Sequence, residues 1–180
     1  PGETADPEFL FWIRELHARF EIPGLEQALD HGVAVEKDPV TRAQGEATLL
    51  KHLQSRGLDV TGIVLDNGSG LSRTTRVSSR FMTALLRQAW HSPHMPEFMA
   101  SLSIAGVDGT MRRRFRTGAE RGRMHLKTGS LQNVSAVAGY VHAQNGKTYV
   151  VNVMVNYTNA NYGIGTELQN ALLSWVYKQP

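Results

Sequence analysis

Lys127, Thr128, Gly129 and Ser130 stand in a row inside the stretch His125-Leu126-Lys127-Thr128-Gly129-Ser130-Leu131-Gln132. These residue types in this order can build one wall of an acyl-transfer site for a carboxylate-bearing substrate. The lysine sets a fixed positive charge beside a pocket. The threonine hydroxyl can hydrogen-bond a substrate carboxylate. Glycine lets a ligand or a catalytic side chain come close to the backbone. The N–H that follows it can stabilise an oxyanion as a carbonyl becomes tetrahedral. Such chemistry also needs a reactive serine, and none of the serines in the 180 residues is convincing in that role. Three residues alone occur by chance on many surfaces. The context adds weight: a basic segment precedes the motif, an apolar hairpin follows it, and a Gly- and Ser-rich turn, Asp66–Arg73, lies upstream.

Other chemistry-bearing residues read more simply. His91 and His94 form His-x-x-His across Ser92-Pro93, but the proline breaks the helix and no acidic third ligand has suitable spacing, so no metal site is expected. His125 flanks the lysine motif without an assigned role. Asp66 is expected to shape its turn by accepting backbone hydrogen bonds, and Asp108-Gly109 reads as turn chemistry. Arg112, Arg113, Arg114, Arg116, Arg121, Arg123 and Lys127 face only Glu120 within 16 residues. That run fits a solvated basic surface, a site for acidic ligands or a nucleic-acid patch. The last lacks both a recognition-helix signature and interleaved aromatics, so no nucleic-acid partner is expected.

The bulk numbers set the frame for those residues. A chain of 180 residues can bury a real core and fits one domain or part of a larger one. Hydrophobic residues make up 41 % and charged residues 19 %, a globular rather than disordered composition, and the net charge is +3. Without cysteine, disulfides, thiolate catalysis and Cys-ligated metals are excluded. No apolar run approaches 18 residues, so no transmembrane segment is expected. No leader peptide is visible, and the start at Pro1 points to a cut or processed piece.

The elements that must position the motif follow from periodicity. Phe9, Trp12, Ile13, Leu16 and Phe20 predict a helix over 8–20, and a second short helix is possible over 24–31. Asp38, Pro39 and Gly57 frame a further helix carrying Ala47, Leu49, Leu50 and Leu53. Residues 60–66 read as a short buried strand or extended segment. Ser78 or Ser79 caps a helix to about His91, with Phe81, Leu85, Leu86 and Trp90 inward. Pro96 opens another through about Leu102. The Arg-rich stretch stays open between helix and loop. A strand begins at His125–Thr128, and Val134–His142 with Thr148–Asn156 form an antiparallel hairpin. Ile164, Leu168, Leu172 and Trp175 line one face of a terminal helix. Trp12, Trp90 and Trp175 all read as core. Apolar strands need cover on both faces, which the helices supply.

The blocks Asp66-Asn67-Gly68-Ser69-Gly70-Leu71-Ser72-Arg73, Pro96–Leu102, Ala105–Thr110 and His125–Gln132, with Gly139-Tyr140, resemble serine DD-peptidases of the penicillin-binding protein superfamily. The class C low-molecular-mass D-alanyl-D-alanine carboxypeptidase/endopeptidases are closest. The resemblance covers roughly 39–177; residues 1–38 match poorly and form a separate N-terminal segment, leaving 39–180 as the C-terminal part of a DD-peptidase domain. It implies an α/β fold: the latter part of a penicillin-binding, β-lactamase-like transpeptidase domain, with helices, an antiparallel sheet and a closing C-terminal helix.

The resemblance also implies roles. Lys127 would assist proton transfer and attract the substrate carboxylate, which Thr128 would bind. Gly129 would keep the strand open, and the Ser130 N–H would be half of an oxyanion hole. Arg73 and Gln132 would lie near the substrate side-chain pocket, while Ser69 and Ser72 are loop residues rather than nucleophiles. Peptidoglycan peptides and β-lactams would be the ligands, the periplasm the location, and no metal or organic cofactor is implied. Two family elements are missing. No Ser-x-x-Lys occurs, and the place for Ser-x-Asn falls near Glu21-Ile22-Pro23. The isolated chain is therefore expected to be inactive. It is also expected to pair with a missing N-terminal part or with itself. A non-catalytic module binding peptidoglycan or another acidic ligand is the alternative.

Overall fold

The computed structural model describes residues 42–66 and 72–180. The helices expected over 8–20 and 24–31, Trp12, Asp38, Pro39 and Ser69 lie outside the described residues. Two compact units divide the chain, Pro1–Phe81 and Met82–Pro180.

In the first unit, helix α1 spans Arg42–Ser55. It ends as Gly57 anticipates: the Gly57 N–H donates to Gln54 O (2.8 Å) and the Leu58 N–H to Leu53 O (3.1 Å), a Schellman closure. Leu49, Leu50 and Leu53 are only half-buried and Ala47 is exposed. The strand expected over 60–66 does not form. A turn at Thr61-Gly62 breaks the extended run, and only Val64 pairs, in an isolated antiparallel bridge with Arg76. Val64 is 43 % exposed, so this segment is not buried either. Ser78 then caps the next helix, its Oγ accepting the Phe81 N–H at 3.1 Å. That helix, α2, spans Ser79–Trp90.

The second unit is organised around a four-stranded antiparallel sheet in the order β1-β2-β3-β4. Its strands are β1 (Ser103–Ile104), β2 (Met124–Leu131), β3 (Val134–His142) and β4 (Thr148–Asn156). β3 and β4 have the expected bounds; β1 is too short to show a period in sequence. Helix α3 (Met95–Ala100) precedes β1, stopping two residues before the expected end. The ambiguous Arg-rich stretch is mostly irregular, entered through a 3-10 turn at Gly109–Met111.

Side-chain alternation divides the sheet into two faces. Met124, Leu126, Val137, Val141 and Val151 form a core with Met111, Leu173 and Tyr177. Leu173 and Tyr177 come from the closing helix α4, Ile164–Tyr177. On the other face Tyr140 is fully buried, and its hydroxyl donates to Leu86 O of α2 at 2.7 Å. Burial pushes that phenol well above its ordinary pKa. Trp90 and Phe98 pack on its ring at 5.4 and 6.3 Å.

α4 corrects the expected inward face. Ile164, Leu168, Leu172 and Trp175 are 57, 49, 38 and 63 % exposed. The buried positions are Gly165, Gln169, Leu173 and Tyr177. The reason is close approach: a Cβ on Gly165 would run into Ala160 O and the Ser135 side chain, so the helix lies tight against β3. Four residues on, Gln169 is 1 % exposed and fully engaged. Its Nε2 donates to Ser135 Oγ (2.9 Å) and its Oε1 accepts from Arg114 Nη1 (3.1 Å). Arg114 Nε also donates to Asn170 Oδ1 at 2.8 Å. Two tryptophans expected in the core are also corrected. Trp175 lies on the outward stripe, and Trp90 is 37 % exposed, with one ring face covered by Tyr140.

Replacing Gln169 with leucine keeps the volume and removes both bonds. Ser135 and part of Arg114 would be left buried without partners, at about 1–3 kcal/mol for each group so stranded. We expect urea denaturation of Gln169→Leu to show a stability loss of about 2–6 kcal/mol.

Candidate active site

β2 carries the lysine motif and is paired unequally along its two edges. β3 accompanies it from Met124↔Val141 to Leu131↔Val134. β1 pairs only Ser103↔Leu126 and Ile104↔His125. Among the described residues, therefore, no strand covers the β1-side edge of β2 beyond Leu126.

Which backbone groups face that open edge follows from alternation. Met124 O accepts the Ala105 N–H at 3.0 Å, so Met124 faces the β1 side. Arg123 O accepts from His142 N at 2.8 Å, so Arg123 faces β3. Carried along the strand, this parity turns the N–H and C=O of Thr128 and Ser130 toward the open edge. Lys127 Nζ folds back along this edge to donate to Thr128 O at 2.8 Å. An acceptor brought to this edge meets an ammonium group and the Ser130 N–H along one short length of strand.

The side chains divide by face. Lys127 and Gly129 lie on the Tyr140 face; Thr128 and Ser130 continue the Met124–Leu126 row. Lys127, Gly129 and Ser130 are exposed and Thr128 is half-buried. A Cβ at Gly129 would sit 3.6 Å from Ala136 Cβ, an ordinary contact, so the fold itself does not require glycine there. Gln132 is exposed in the β2–β3 turn, which places it just past the end of the same strand. Arg73 belongs to the first unit, exposed on a turn organised by Ser72. The Ser72 hydroxyl donates to Asp66 Oδ2 (2.7 Å) and accepts the Thr74 and Thr75 N–H groups (3.1 and 3.0 Å).

Two residues were not singled out from sequence. Thr128 Oγ1 donates to Thr110 Oγ1 at 2.8 Å, and Thr110 lies 3.5 Å from the Ser103 hydroxyl. The Thr110 N–H also donates to Ser103 Oγ at 3.3 Å. This hydroxyl chain fixes the Thr128 rotamer at the open edge. Its only sequence signal was Thr110 at the end of the Ala105–Thr110 block. Among the described residues no hydroxyl hydrogen-bonds Lys127 Nζ, so no described serine or threonine is paired with this amine as a nucleophile would be.

Next to Lys127 on its face stands a histidine pair, His125 and His142, with rings 5.6 Å apart. His142 Nδ1 lies 2.9 Å from Thr148 Oγ1, and His125 Nδ1 is buried with no partner among the described residues. Burial first, then the neighbouring His125 and Arg123, lower the His142 pKa below 6.5. A lowered histidine pKa means the unfolded state binds more protons, so stability falls as pH drops below about 6.5. We expect the thermal midpoint to decline as pH drops below about 6.5, and His142→Gln to flatten that decline measurably in parallel melts. Equal slopes in the two proteins would sink the assignment.

Comparison with known proteins gives consistent matches. Residues 27–178 match the family described as D-Ala-D-Ala carboxypeptidase 3 (S13). The D-alanyl-D-alanine carboxypeptidase of Actinomadura sp. (strain R39) is 40 % identical over 100 residues, covering 53 % of this chain and 19 % of that protein. Penicillin-binding protein 4 of Haemophilus influenzae superposes with a TM-score of 0.72 at 24 % identity, over 96 % of this chain and 40 % of its own. The same protein complexed with a β-lactam gives 0.68 at 25 % identity, over 78 % of this chain and 35 % of its own. The chain thus spans well under half the length of each relative it matches.

Proposed function

The chain belongs to the D-Ala-D-Ala carboxypeptidase 3 (S13) family, and on that premise we propose that it is the latter part of a serine-type D-Ala-D-Ala carboxypeptidase/endopeptidase of peptidoglycan. The observation that carries this reading is the open β2 edge with Lys127, Thr128, Gly129 and Ser130 along it. A peptide ending in a carboxylate would lie along this edge as an added strand, its backbone meeting the outward groups of Thr128 and Ser130. Thr128 would hold the carboxylate, with Lys127 supplying charge and assisting proton transfer. The Ser130 N–H would serve the oxyanion that forms when the nucleophile attacks. Gln132, at the end of the strand, would contact the substrate side chain.

The nucleophile would be a serine in a preceding part of the whole protein, since no Ser-x-x-Lys occurs in these 180 residues. Attack on the D-alanyl-D-alanine carbonyl would give an acyl-enzyme that water then hydrolyses. β-Lactams would acylate the same serine; a relative of known structure is complexed with one. Such a substrate would put the whole protein in the periplasm. The chain would pair with a second copy of itself or with that preceding part. Without it the chain reduces to a peptidoglycan-binding module.

Incubation with a fluorescent penicillin separates these statements. The isolated chain should carry no denaturation-resistant label, whereas the whole protein should be labelled. A stable adduct on the isolated chain would overturn the division of labour. In the whole protein, Gly129→Ala should leave the melting temperature within about 2 °C while slowing acylation at least about tenfold, since the added methyl fits the sheet but stands where the ligand approaches.

A further inference from the structure

The arginines left open by sequence converge in space. A cleft of about 420 Å³ is lined by Gly106, Arg112, Arg113, Arg116 and Arg121. It does not include Lys127, Thr128 or Ser130. All four arginines are exposed, and no acidic side chain is among its lining residues. Arg114, in the middle of the run, turns away to bind Gln169 and Asn170, which pins the loop from within. Phe115 then adopts φ 58°, reversing the chain so that Arg116 returns to the cleft.

The backbone around the cleft is built rather than loose. The Gly106 N–H donates to Met111 O (3.1 Å), the Arg114 N–H to Met111 O (2.9 Å) and the Gly122 N–H to Ala105 O (2.9 Å). Arg121 Nε donates to Gly106 O at 3.3 Å, fixing one guanidinium at the wall. Gly106 sits at φ +70°, and a Cβ there would strike Phe115 O and Arg121 Cγ. Four guanidiniums held around one cavity repel each other unless an anion joins them. Guanidinium forks match tetrahedral oxyanions in paired hydrogen bonds. The lining offers no aromatic ring on which a base could stack and no apolar wall for a side chain, so recognition falls on the anionic groups themselves.

We propose that this cleft binds a ligand bearing at least two neighbouring phosphate groups. Such groups occur in soluble oligophosphates and as headgroups on an anionic lipid surface. The site stands independently of the DD-peptidase reading, since it needs no nucleophile and no occupant of the β2 edge.

Calorimetric titration of the chain with sodium tripolyphosphate at low salt should show saturable one-to-one binding, weakened at least about tenfold in the Arg112→Ala/Arg116→Ala double variant and progressively by added salt. A second arm uses sedimentation with phosphatidylglycerol or phosphatidylcholine vesicles. Selective co-sedimentation with phosphatidylglycerol that tripolyphosphate reverses identifies a lipid surface. Tripolyphosphate binding without co-sedimentation identifies a soluble source. Absence of saturable binding in both arms, or equal binding by the folded double variant, overturns the proposal.

Discussion

A buried amide holds the second unit together. Gln169 sits almost fully enclosed, donating to Ser135 on β3 and accepting from Arg114 on the basic loop. Three separate parts of the chain meet at one side chain. Helix α4 can come this close only because Gly165 has no Cβ. The amide matters here more than its net energy suggests, because a buried polar group without its partner costs more than the bond gains. That asymmetry fixes which face of α4 meets the sheet. It also anchors Arg114, and with it the loop that carries the remaining arginines. Burial lowers the Arg114 pKa, the direction expected of a cation drawn out of water.

A second constraint shapes the candidate active site. Among the described residues, β1 is two residues long and β2 is paired on both sides only at its beginning. The motif begins where that double pairing ends. Sheet edges with free backbone groups are normally blunted or covered. Here the edge carries a lysine whose ammonium caps one free carbonyl and a chain of hydroxyls leading back to Ser103. The position of the motif along the strand, rather than the motif itself, leaves the N–H and C=O of Thr128 and Ser130 facing away from β3.

Helix α4 shows how a correct element can be read with the wrong face inward. Ile164, Leu168, Leu172 and Trp175 are the most apolar row on the helix and point outward. The inward row starts with a glycine and a glutamine. Periodicity ranks faces by hydrophobicity, but shape and hydrogen bonding decided this one. The same limit explains residues 60–66, whose apolar composition promised a strand while the Thr61-Gly62 turn interrupted it. The hairpin of β3 and β4 was legible because both strands are long and a Gln144–Lys147 turn separates them.

Sequence by itself determined the family, the β3–β4 hairpin and the Gly57 helix end. Each of these is local: a motif, a period or a turn set by neighbours a few residues apart. Tertiary structure alone decided the open edge beyond Leu126, the outward stripe on α4, the Thr110–Thr128 contact and the convergence of four arginines on one cleft. Those depend on strand register and on pairs such as Arg114 with Gln169, 55 residues apart. Contacts over such separations leave no period in the chain, so packing had to bring them together before their chemistry was visible.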